Sequence, residues 1–522
     1  MRRILALILC LALLAAVFSG CAAEDRPYVP TGDALAADDA DLDATEPEEE
    51  AEIQEFSMAF YPDRSLNPFT CNDYTNRALF SLVYQGLFSV NRNYEPVPIL
   101  CQYYEVSPDY KTHTFHLVTT ATYSDGTHVS IDDVLASYQA AMESSYYGGR
   151  FTHVKSVELS GDGGITFTLY YAMENLALLL DIPIVKAEEV AAERPIGTGP
   201  YILEDTLHGT QLRRNMAWGC EKNADLIVNA ESIPLFAAES SSEIRDQFEF
   251  YDIGLVCADP CSDDYADYRG DYELWDCENG IMVYLACNVT YGKDGIFADK
   301  SIRSAITYAI DRELLVTEYY RGFARASTLA ASPQSPYYSK GLAAKYEYDP
   351  LKFIESLSGK TLPAEPLTLL VNKDDSLRLR AARAIADMLT DSGLNTEIVA
   401  VNNRVYQKMI VAGNYDLYLG QTKLSANMDL SPFFKPWGNI SRNGVSDAEL
   451  FSQCLGALEN SGNYYSLLKS VADDGRIIPI LFCSYGVFAT RGLLTKLEPS
   501  RDHVCFYTLG RSNETAMVLL SE

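Results

Sequence analysis

Apolar and polar residues alternate along several short segments of this chain, which is 522 residues long. The alternation is clear in residues 112–118 and 165–170, and residues 56–60 have the same period. A period of two places every second side chain on one face of a strand. The pattern therefore predicts strands at these three places, with residues 56–60 as an edge or half-buried strand.

Other segments carry their apolar residues at helical spacing. Residues 76–87, 299–315 and 377–392 each have the apolar stripe that is typical of an amphipathic helix. Ser130 is predicted as the N-cap of a further helix, because Asp133 follows three residues later, close to a capping box. Strand and helix signals alternate along the chain, which predicts an α/β fold class.

The length of the chain indicates how many lobes it forms, and its charge argues against a nucleic-acid partner. Residues 56–522 are too many for a single ordinary core, so two or three lobes are expected. Their net charge is −21, and no run of Lys and Arg could form a basic patch. Nucleic-acid binding needs such patches to displace counterions. We therefore expect no nucleic-acid partner.

The N-terminal residues have the order of a secretory signal. Residues 1–3 are a short basic region, residues 4–18 carry no charge, and small residues precede Cys21. The apolar run is shorter than the roughly 18 residues of a spanning helix. Residues 1–20 are therefore predicted as a signal peptide, and an uncleaved anchor is the alternative. Residues 17–21 also resemble a lipobox, which implies cleavage before Cys21 and lipidation of its thiol.

Residues 21–55 are predicted to form a tether. Between residues 22 and 55 there are 13 acidic residues and one basic residue, Arg26, which gives a net charge of −12. Such a stretch buries too little apolar surface to offset the entropy of ordering, and like charges extend it. A disordered spacer after the lipidated cysteine is expected. A site for calcium or a cationic partner is the alternative.

Ten cysteines lie in the body of the chain. An exported protein can form disulfides, but their pairing cannot be deduced from sequence. Several, such as Cys287 and Cys483, stand inside apolar strings, so most are predicted to be free and buried. Cys257 and Cys261 form the only close pair in the sequence, and their spacing does not match that of a zinc knuckle. No metal site is expected.

The sequence contains no recognisable catalytic motif. Its six histidines are dispersed, and neither G-x-S-x-G nor H-E-x-x-H occurs. His113 and His116 lie three apart on a predicted strand, so they point to opposite faces and do not easily share a metal. Residues 197–200, Gly-Thr-Gly-Pro, lack the lysine of a phosphate-binding loop and are predicted as a rigid crossing between lobes. We expect no catalytic residue and no cofactor; a secreted hydrolase with dispersed residues is the alternative.

Seven short motifs follow one another in a recognisable order. Residues 66–68 are Leu-Asn-Pro and residues 83–87 are Val-Tyr-Gln-Gly-Leu. The other five are residues 98–100, residues 114–117 with 123–127, residues 132–134, residues 196–201 and residues 302–312. In this order, over roughly residues 56–510, the chain resembles the solute-binding lipoproteins of dipeptide, oligopeptide and nickel ABC importers. Val118 departs from the family pattern, which usually has arginine there.

The resemblance implies a multi-lobed fold like that of type II periplasmic binding proteins, a hinged clamp with an extra lobe. The first lobe would hold residues 56–88, 195–285 and 491–522. The second would hold residues 89–194, and the third residues 286–490. Solute would lie between the first and third lobes, which close around it.

The resemblance also implies a function and a location. The protein would capture a peptide or peptide-like small solute and deliver it to the permease and ATPase subunits of an ABC importer. It would be a monomer at the extracytoplasmic face of the cell membrane, held there only by the lipid on Cys21. A tethered sensor without transport is the alternative, and neighbouring genes for permeases and ATPases would distinguish the two.

One segment of the third lobe is the expected ligand site. Peptide-binding members of the family have an A-D-Y-x-D-P motif there, whose aspartate pairs with the α-ammonium of the ligand. In residues 421–432, with Asp429 as a helix N-cap, uncharged Ala426 takes the amine-binding position; a one-residue shift would put Asn427 there, also without charge. We therefore expect a blocked peptide or another small solute, and Lys423, unless it is a solvated surface lysine, favours an anion. The expected ligand-binding residues are Gln421, Thr422, Lys423, Ser425 and Asn427.

The lipid anchor gives the first testable prediction. Cys21→Ser removes the thiol that would be lipidated, so the protein should move from the membrane fraction to the soluble extracytoplasmic fraction. Cell fractionation measures the change, with Cys71→Ser as a control that keeps the anchor. If Cys21→Ser partitions with membranes as fully as the unaltered protein, an uncleaved spanning anchor is right instead.

Overall fold

The structure, a computed structural model, describes most of the body of the chain. It covers residues 57–218, 230–250, 252–262, 265, 272–436, 438, 440, 444–497, 499–501 and 510–511. The predicted signal peptide, the predicted lipidation site Cys21 and the predicted acidic tether lie outside the described residues, as do Cys220 and Cys505.

Strands form the framework of the fold. In chain order they are β1 (Met58–Phe60), β2 (Phe88–Val90), β3 (Pro96–Pro98), β4 (Cys101–Val106), β5 (Thr112–Leu117), β6 (Val154–Leu159), β7 (Ile165–Leu169), β8 (Tyr201–Thr206), β9 (Gly209–Arg214), β10 (Ser232–Ala237), β11 (Leu255–Ala258), β12 (Tyr272–Cys287), β13 (Ala324–Ala326), β14 (Leu367–Asn372), β15 (Thr396–Val401), β16 (Leu417–Lys423), β17 (Ile477–Thr490), β18 (Leu494–Lys496) and β19 (Gly510–Arg511).

Helices lie between the strands and cover them. The α-helices are Tyr74–Ala78, Phe80–Val83, Ile131–Glu143, Ser241–Glu249, Lys300–Ala305, Arg312–Leu314, Lys340–Ala343, Pro350–Leu357, Ser376–Asp391, Asn403–Ala412, Ser431–Phe434, Ala448–Glu459 and Tyr464–Asp474.

Two four-stranded sheets are formed by the N-terminal half of the described chain. One has the order β1-β10-β9-β8, with β1 parallel to β10 and the other pairs antiparallel. The other is antiparallel, with the order β4-β5-β7-β6, and the helix Ile131–Glu143 packs against it. Side chains from both sheets contribute to one apolar core cluster.

A seven-stranded sheet occupies most of the C-terminal half. Its order is β11-β17-β12-β16-β14-β15, and β13 also pairs with β17. The strands β14, β15 and β16 are mutually parallel, whereas β12 and β17 run antiparallel to each other over almost their whole length. Separate apolar clusters pack on the two faces of this sheet. The fold is thus mixed α/β with several sheets, whereas the proposed lobe boundaries stay a prediction.

Several local predictions from the sequence are confirmed. Strands β5 and β7 match the two alternating segments closely, and β1 is an edge strand, although a fully buried one. Ser130 Oγ accepts a hydrogen bond from the Asp133 backbone N–H while the Asp133 carboxylate accepts one from Ser130 N–H, which makes a complete capping box. The helix predicted at residues 377–392 is Ser376–Asp391, with Asp375 as its N-cap.

Two predicted helices are wrong in their extent. Residues 76–87 form two short helices, Tyr74–Ala78 and Phe80–Val83, and the chain is extended at Tyr84. Residues 299–315 are interrupted where Ile310 and Asp311 adopt extended backbone angles. The Asp311 carboxylate accepts the N–H of Leu314 at 2.9 Å and so begins a new helix. The helical spacing of apolar residues continues across this break. The spacing alone therefore does not reveal that Asp311 caps a new helix.

Close packing explains the glycines of residues 197–200. A Cβ added at Gly197 would lie 1.9 Å from the carbonyl oxygen of Val83, and one at Gly199 would lie 2.5 Å from that of Leu82. The N–H of Gly199 donates to Val83 O at 2.9 Å. Only glycine allows this segment to approach the helix Phe80–Val83 so closely. A close backbone contact therefore requires these glycines, whereas a rigid crossing between lobes stays a prediction.

The described residues also bear on membrane and metal contacts. No helix among them combines the length and the apolar character that a membrane span requires. Within the same residues, no group of three or more His, Cys, Asp or Glu side chains is arranged to hold a metal ion.

The cysteines give a second testable prediction. Six of the eight described cysteines are free thiols, which agrees with the expectation for these six: Cys71, Cys257, Cys261, Cys287 and Cys454 are buried, and Cys483 is partly buried. Burial raises the pKa of the Cys261 thiol to about 12 and that of Cys257 further, so neither is a thiolate near neutral pH. A thiol reagent should label few of these cysteines in the folded protein and at least six in denaturant without reductant. Four or five disulfides in the denatured count would contradict the free-thiol assignment.

Candidate functional site

A cavity of about 380 Å³ lies at the carboxyl ends of the parallel strands of the large sheet. Asn372 ends β14, Asn403 follows β15, and Gln421 and Thr422 are near the end of β16; all four line the cavity. In the sheet, β15 pairs with one edge of β14. The next strand in the chain, β16, pairs with the opposite edge of β14. Open α/β sheets bind ligands at such a reversal of strand order, which makes this cavity the candidate site.

Tyrosines and one glycine shape the cavity wall. Tyr284 of β12 and Tyr418 of β16 place their hydroxyl oxygens 3.3 Å apart, and Tyr406 Oη donates to Leu419 O at 2.8 Å. A Cβ added at Gly420 would come within 2.7 Å of the Tyr284 ring, so a larger residue would push into these rings. Burial raises the pKa of Tyr284 to about 12 and that of Tyr406 further. These hydroxyls therefore stay neutral and add no negative charge to the cavity.

Among the described residues that line the cavity, Arg378 is the one with a charged side chain. It lies in the first turn of the helix Ser376–Asp391, where the carboxylate of Asp375 accepts its backbone N–H at 2.8 Å and lies 3.1 Å from its Nη2. The side chain is 9% exposed, and its Nε has no hydrogen-bond partner among the residues that the structure describes. A buried donor without a partner is rare in proteins, and a water, an ion or a bound solute would each supply its acceptor.

The remaining polar lining is neutral. Asn372, Asn403, Gln407 and Gln421 present side-chain amides, each of which can donate and accept hydrogen bonds. Within the lining, which belongs to the described part of the chain, no carboxylate is present. One guanidinium among amides and hydroxyls can orient a solute that has one anionic group and several peptide-like groups.

The structure divides the five expected ligand residues into two groups. Gln421 and Thr422 line the cavity. Lys423 is exposed, and its Nζ lies 3.4 Å from Tyr146 Oη and 5.6 Å from the centre of that ring. Ser425 Oγ donates to Asn427 Oδ1 at 2.7 Å, and Asn427 is buried against other parts of the chain. In this conformation Ser425 and Asn427 are outside the cavity lining.

The loop after β16 differs from its expected geometry. Ala426 is buried, and the helix Ser431–Phe434 has Leu430, not Asp429, at its N-cap position. The Asp429 carboxylate nevertheless accepts the Ser431 N–H at 2.8 Å and lies 3.0 Å from His153 Nε2. The predicted cap is therefore wrong by one residue, because Asp429 reaches the helix from one position further back.

Arg378, Asn372 and the tyrosines were missed by the sequence analysis. Arg378 was included only in the amphipathic helix predicted at residues 377–392, and Tyr284 was not singled out. One signal was present: an apolar run at residues 367–371 is followed shortly by Asp375, a residue type that favours N-caps, and three residues later by Arg378. That order puts an arginine in the first helical turn at the carboxyl end of a strand. Only the fold shows that β16 ends beside it.

Comparisons with known proteins identify the family and the fold of the chain. A family model described as bacterial extracellular solute-binding proteins, family 5 Middle, matches residues 95–444. The oligopeptide-binding protein AppA of Bacillus subtilis (strain 168) is 26% identical over 269 residues, which are 45% of this chain and 46% of AppA. The chain thus matches about half the length of that relative.

Two further proteins extend the comparison. The glutathione-binding protein GsiB of Escherichia coli (strain K12) is 23% identical over 355 residues, which are 65% of this chain and 67% of GsiB. The structure of HbpA2 from Haemophilus parasuis superimposes with a TM-score of 0.73 at 17% identity, over 87% of this chain and 99% of HbpA2. The fold is therefore the multi-lobed fold of periplasmic binding proteins.

Proposed function

The chain belongs to the bacterial extracellular solute-binding proteins of family 5, and from that premise we propose that it captures a peptide or peptide-like solute for an ABC importer. The solute would bind between the first and third lobes and pass to membrane permease and ATPase subunits. The family is one of solute-binding proteins, which fits a protein that is not an enzyme. An extracytoplasmic location follows from the same membership.

The observation that carries the proposal is the Arg378 guanidinium in the wall of the cavity. Its Nε lacks a hydrogen-bond partner among the described residues, and its Nη2 lies 3.1 Å from the carboxylate of Asp375. A carboxylate of the solute would supply the missing acceptor in a charge-assisted hydrogen bond. The side-chain amides of Asn403, Gln407 and Gln421 would then bond peptide groups of the solute.

The names of two relatives agree with this solute class. AppA is an oligopeptide-binding protein and GsiB a glutathione-binding protein. Oligopeptides and glutathione both combine peptide groups with carboxylates, which are the groups that an arginine and several amides can bind. We infer that the solute of this protein shares these groups.

We further propose that a free α-amine is not required. Uncharged, buried Ala426 stands at the expected amine-binding position, and the cavity lining within the described chain has no carboxylate. The Arg378 guanidinium would repel a ligand ammonium beside it unless a carboxylate compensated both positive charges. A blocked peptide, or another small anionic solute, therefore suits this cavity better than a solute that is held by its amine.

Lipid anchoring belongs to the same proposal. A monomer tethered through Cys21 and the acidic segment would stay at the extracytoplasmic face of the membrane while its body remained free to bind solute. The tether would let the protein reach the permease without diffusing away.

Calorimetry with one mixed peptide library in three chemical forms tests the proposed function. We expect the free and the N-acetylated libraries to bind with similar affinity, because the described lining of the cavity has no acid that could receive the amine. The C-amidated library should bind roughly ten- to a hundredfold more weakly, since a charge-assisted hydrogen bond to Arg378 is lost. Arg378→Gln should weaken binding of the acid forms and remove their advantage over the amides.

Arg383→Gln is the matched control, because Arg383 lies on the same helix and is exposed. It should bind all three libraries like the unaltered protein. A strong preference for the free amine would refute the blocked-peptide proposal. Equal binding of acids and amides would refute the role of Arg378, and no binding of any library would refute peptide capture.

A further inference from the structure

The carboxylate of Glu278 is completely buried where three parts of the chain meet. Its two oxygens accept hydrogen bonds of 2.7 Å from Tyr94 Oη and from Ser332 Oγ. Tyr94 belongs to the turn between β2 and β3, whereas Ser332 lies in the segment after β13. Glu278 itself lies in the middle of β12 and is 0% exposed. One side chain thus joins the hairpin β2–β3, the strand β12 and the segment after β13.

A buried carboxylate is costly unless its environment compensates it. Burial raises the pKa of the Glu278 carboxyl, while the Ser332 and Tyr94 hydroxyls and the charges of Arg501 and Arg325 oppose this rise. The guanidinium carbon of Arg501 lies 5.6 Å from the centre of the Tyr94 ring. The group is therefore held by hydrogen bonds and by nearby cations, and an apolar residue of similar size would leave both hydroxyls buried without an acceptor.

Tyr94 reaches Glu278 from a strained backbone. Its φ angle is +61°, in the left-handed region that non-glycine residues rarely adopt, and the side chain is nevertheless 3% exposed. Such strain persists only where the surrounding contacts outweigh it, and it is frequent at functional sites. The hydrogen bond to Glu278 is the contact that this conformation allows.

The strand β12 changes its course next to Glu278. The pairing of β12 with β17 shifts register between Glu278 and Met282, and Gly280 has a φ angle of +75°. A Cβ at Gly280 would lie 2.6 Å from the Arg501 guanidinium, so only glycine fits. Beyond this bulge, β12 pairs with the cavity strand β16.

The bulge and the cavity strand are in direct contact. Gly280 O accepts the N–H of Leu424 at 3.0 Å, and Arg501 Nη2 donates to Leu424 O at 2.5 Å. Two steps further along, Met282 is paired with Thr422 and Val283 with Gln421. The residues opposite the two cavity-lining positions thus follow Glu278 by four and five positions.

We propose that Glu278 is a positioning residue for the cavity strand: its hydrogen bonds to Tyr94 and Ser332 fix the bulge of β12 and so hold Gln421 and Thr422 in register. The effect on solute affinity rests on the proposed function, whereas the effect on the register of β16 does not. Glu278 does not touch the solute. It acts through β12, whose pairing with β16 sets where the two cavity side chains lie.

Hydrogen exchange followed by mass spectrometry tests the positioning role without any ligand. In Tyr94→Phe with Ser332→Ala, which leaves the carboxylate without its two donors, the peptides that cover β16 and Leu424 should exchange about tenfold faster. Glu278→Ala should do the same. Glu278→Gln should restore slow exchange, because its amide can accept from Tyr94 and donate to Ser332.

Tyr170→Phe and Glu158→Gln are matched controls at exposed positions, and neither should change the exchange of β16. Faster exchange confined to the hairpin β2–β3, or a lower melting temperature with unchanged exchange in β16, would overturn the proposal. If Glu278→Ala does not fold, hydrogen exchange of β16 in the single variants Tyr94→Phe and Ser332→Ala tests the proposal by the same criteria.

A second readout separates positioning from stability. The affinity for the N-acetylated peptide library should fall in Glu278→Ala and recover in Glu278→Gln. Recovery of folding without recovery of affinity would contradict the proposal. Because hydrogen exchange needs no solute, its outcome stands even if no peptide binds, so failure of the proposed function and failure of this inference remain distinguishable.

Discussion

The antiparallel pairing of β12 with β17 is the constraint on which the rest of the structure depends. The residues of β17 near its end pair with β11 on one side and with the first half of β12 on the other. The second half of β12 pairs instead with both β17 and β16. The same two strands therefore connect β11 to the parallel strands that carry the candidate site. Their register shift after Glu278 is the point where this connection bends.

The cavity follows from the arrangement that this pairing imposes. Once β12 holds β16, the parallel pairing of β16 with β14 brings Gln421 and Thr422 to the edge where Asn372 ends β14. The helix that begins at the Asp375 cap then turns Arg378 into the same space. Among its described lining residues, the cavity therefore presents one guanidinium surrounded by neutral side-chain amides. It favours a solute with one anionic end and a polar, peptide-like body.

Local features of the fold could be predicted from sequence because their causes are local. The capping box at Ser130 needs only Asp133 three residues on, and the alternation in β5 needs only its own side chains. The break at Asp311 could not be predicted, because the apolar period continues across it and the cap depends on the conformation that the chain adopts there. The prediction of Asp429 as the N-cap residue was wrong for a similar reason, since a carboxylate can cap a helix from one position further back.

The candidate site shows the same division. Gln421 and Thr422 were found through a family-like segment that is contiguous in sequence. Arg378 and Tyr284 come from a different helix and a different strand, about 40 and 140 residues away, and only the sheet order brings them together. Ser425 and Asn427 were expected in the site because they belong to the same family-like segment, but the loop after Leu424 buries Ala426 and Asn427 against other parts of the chain. Sequence proximity therefore identified one wall of the cavity, and tertiary structure supplies the others.

A crystal structure with the tightest-binding peptide of the library tests the central claim most directly. We expect the peptide in the cavity at the ends of β14 and β16, with a carboxylate oxygen about 3 Å from Arg378 Nε and no acid of the protein at its N-terminus. Density for the peptide elsewhere, or a peptide whose amine is held by a carboxylate while Arg378 makes no contact with it, would contradict the account.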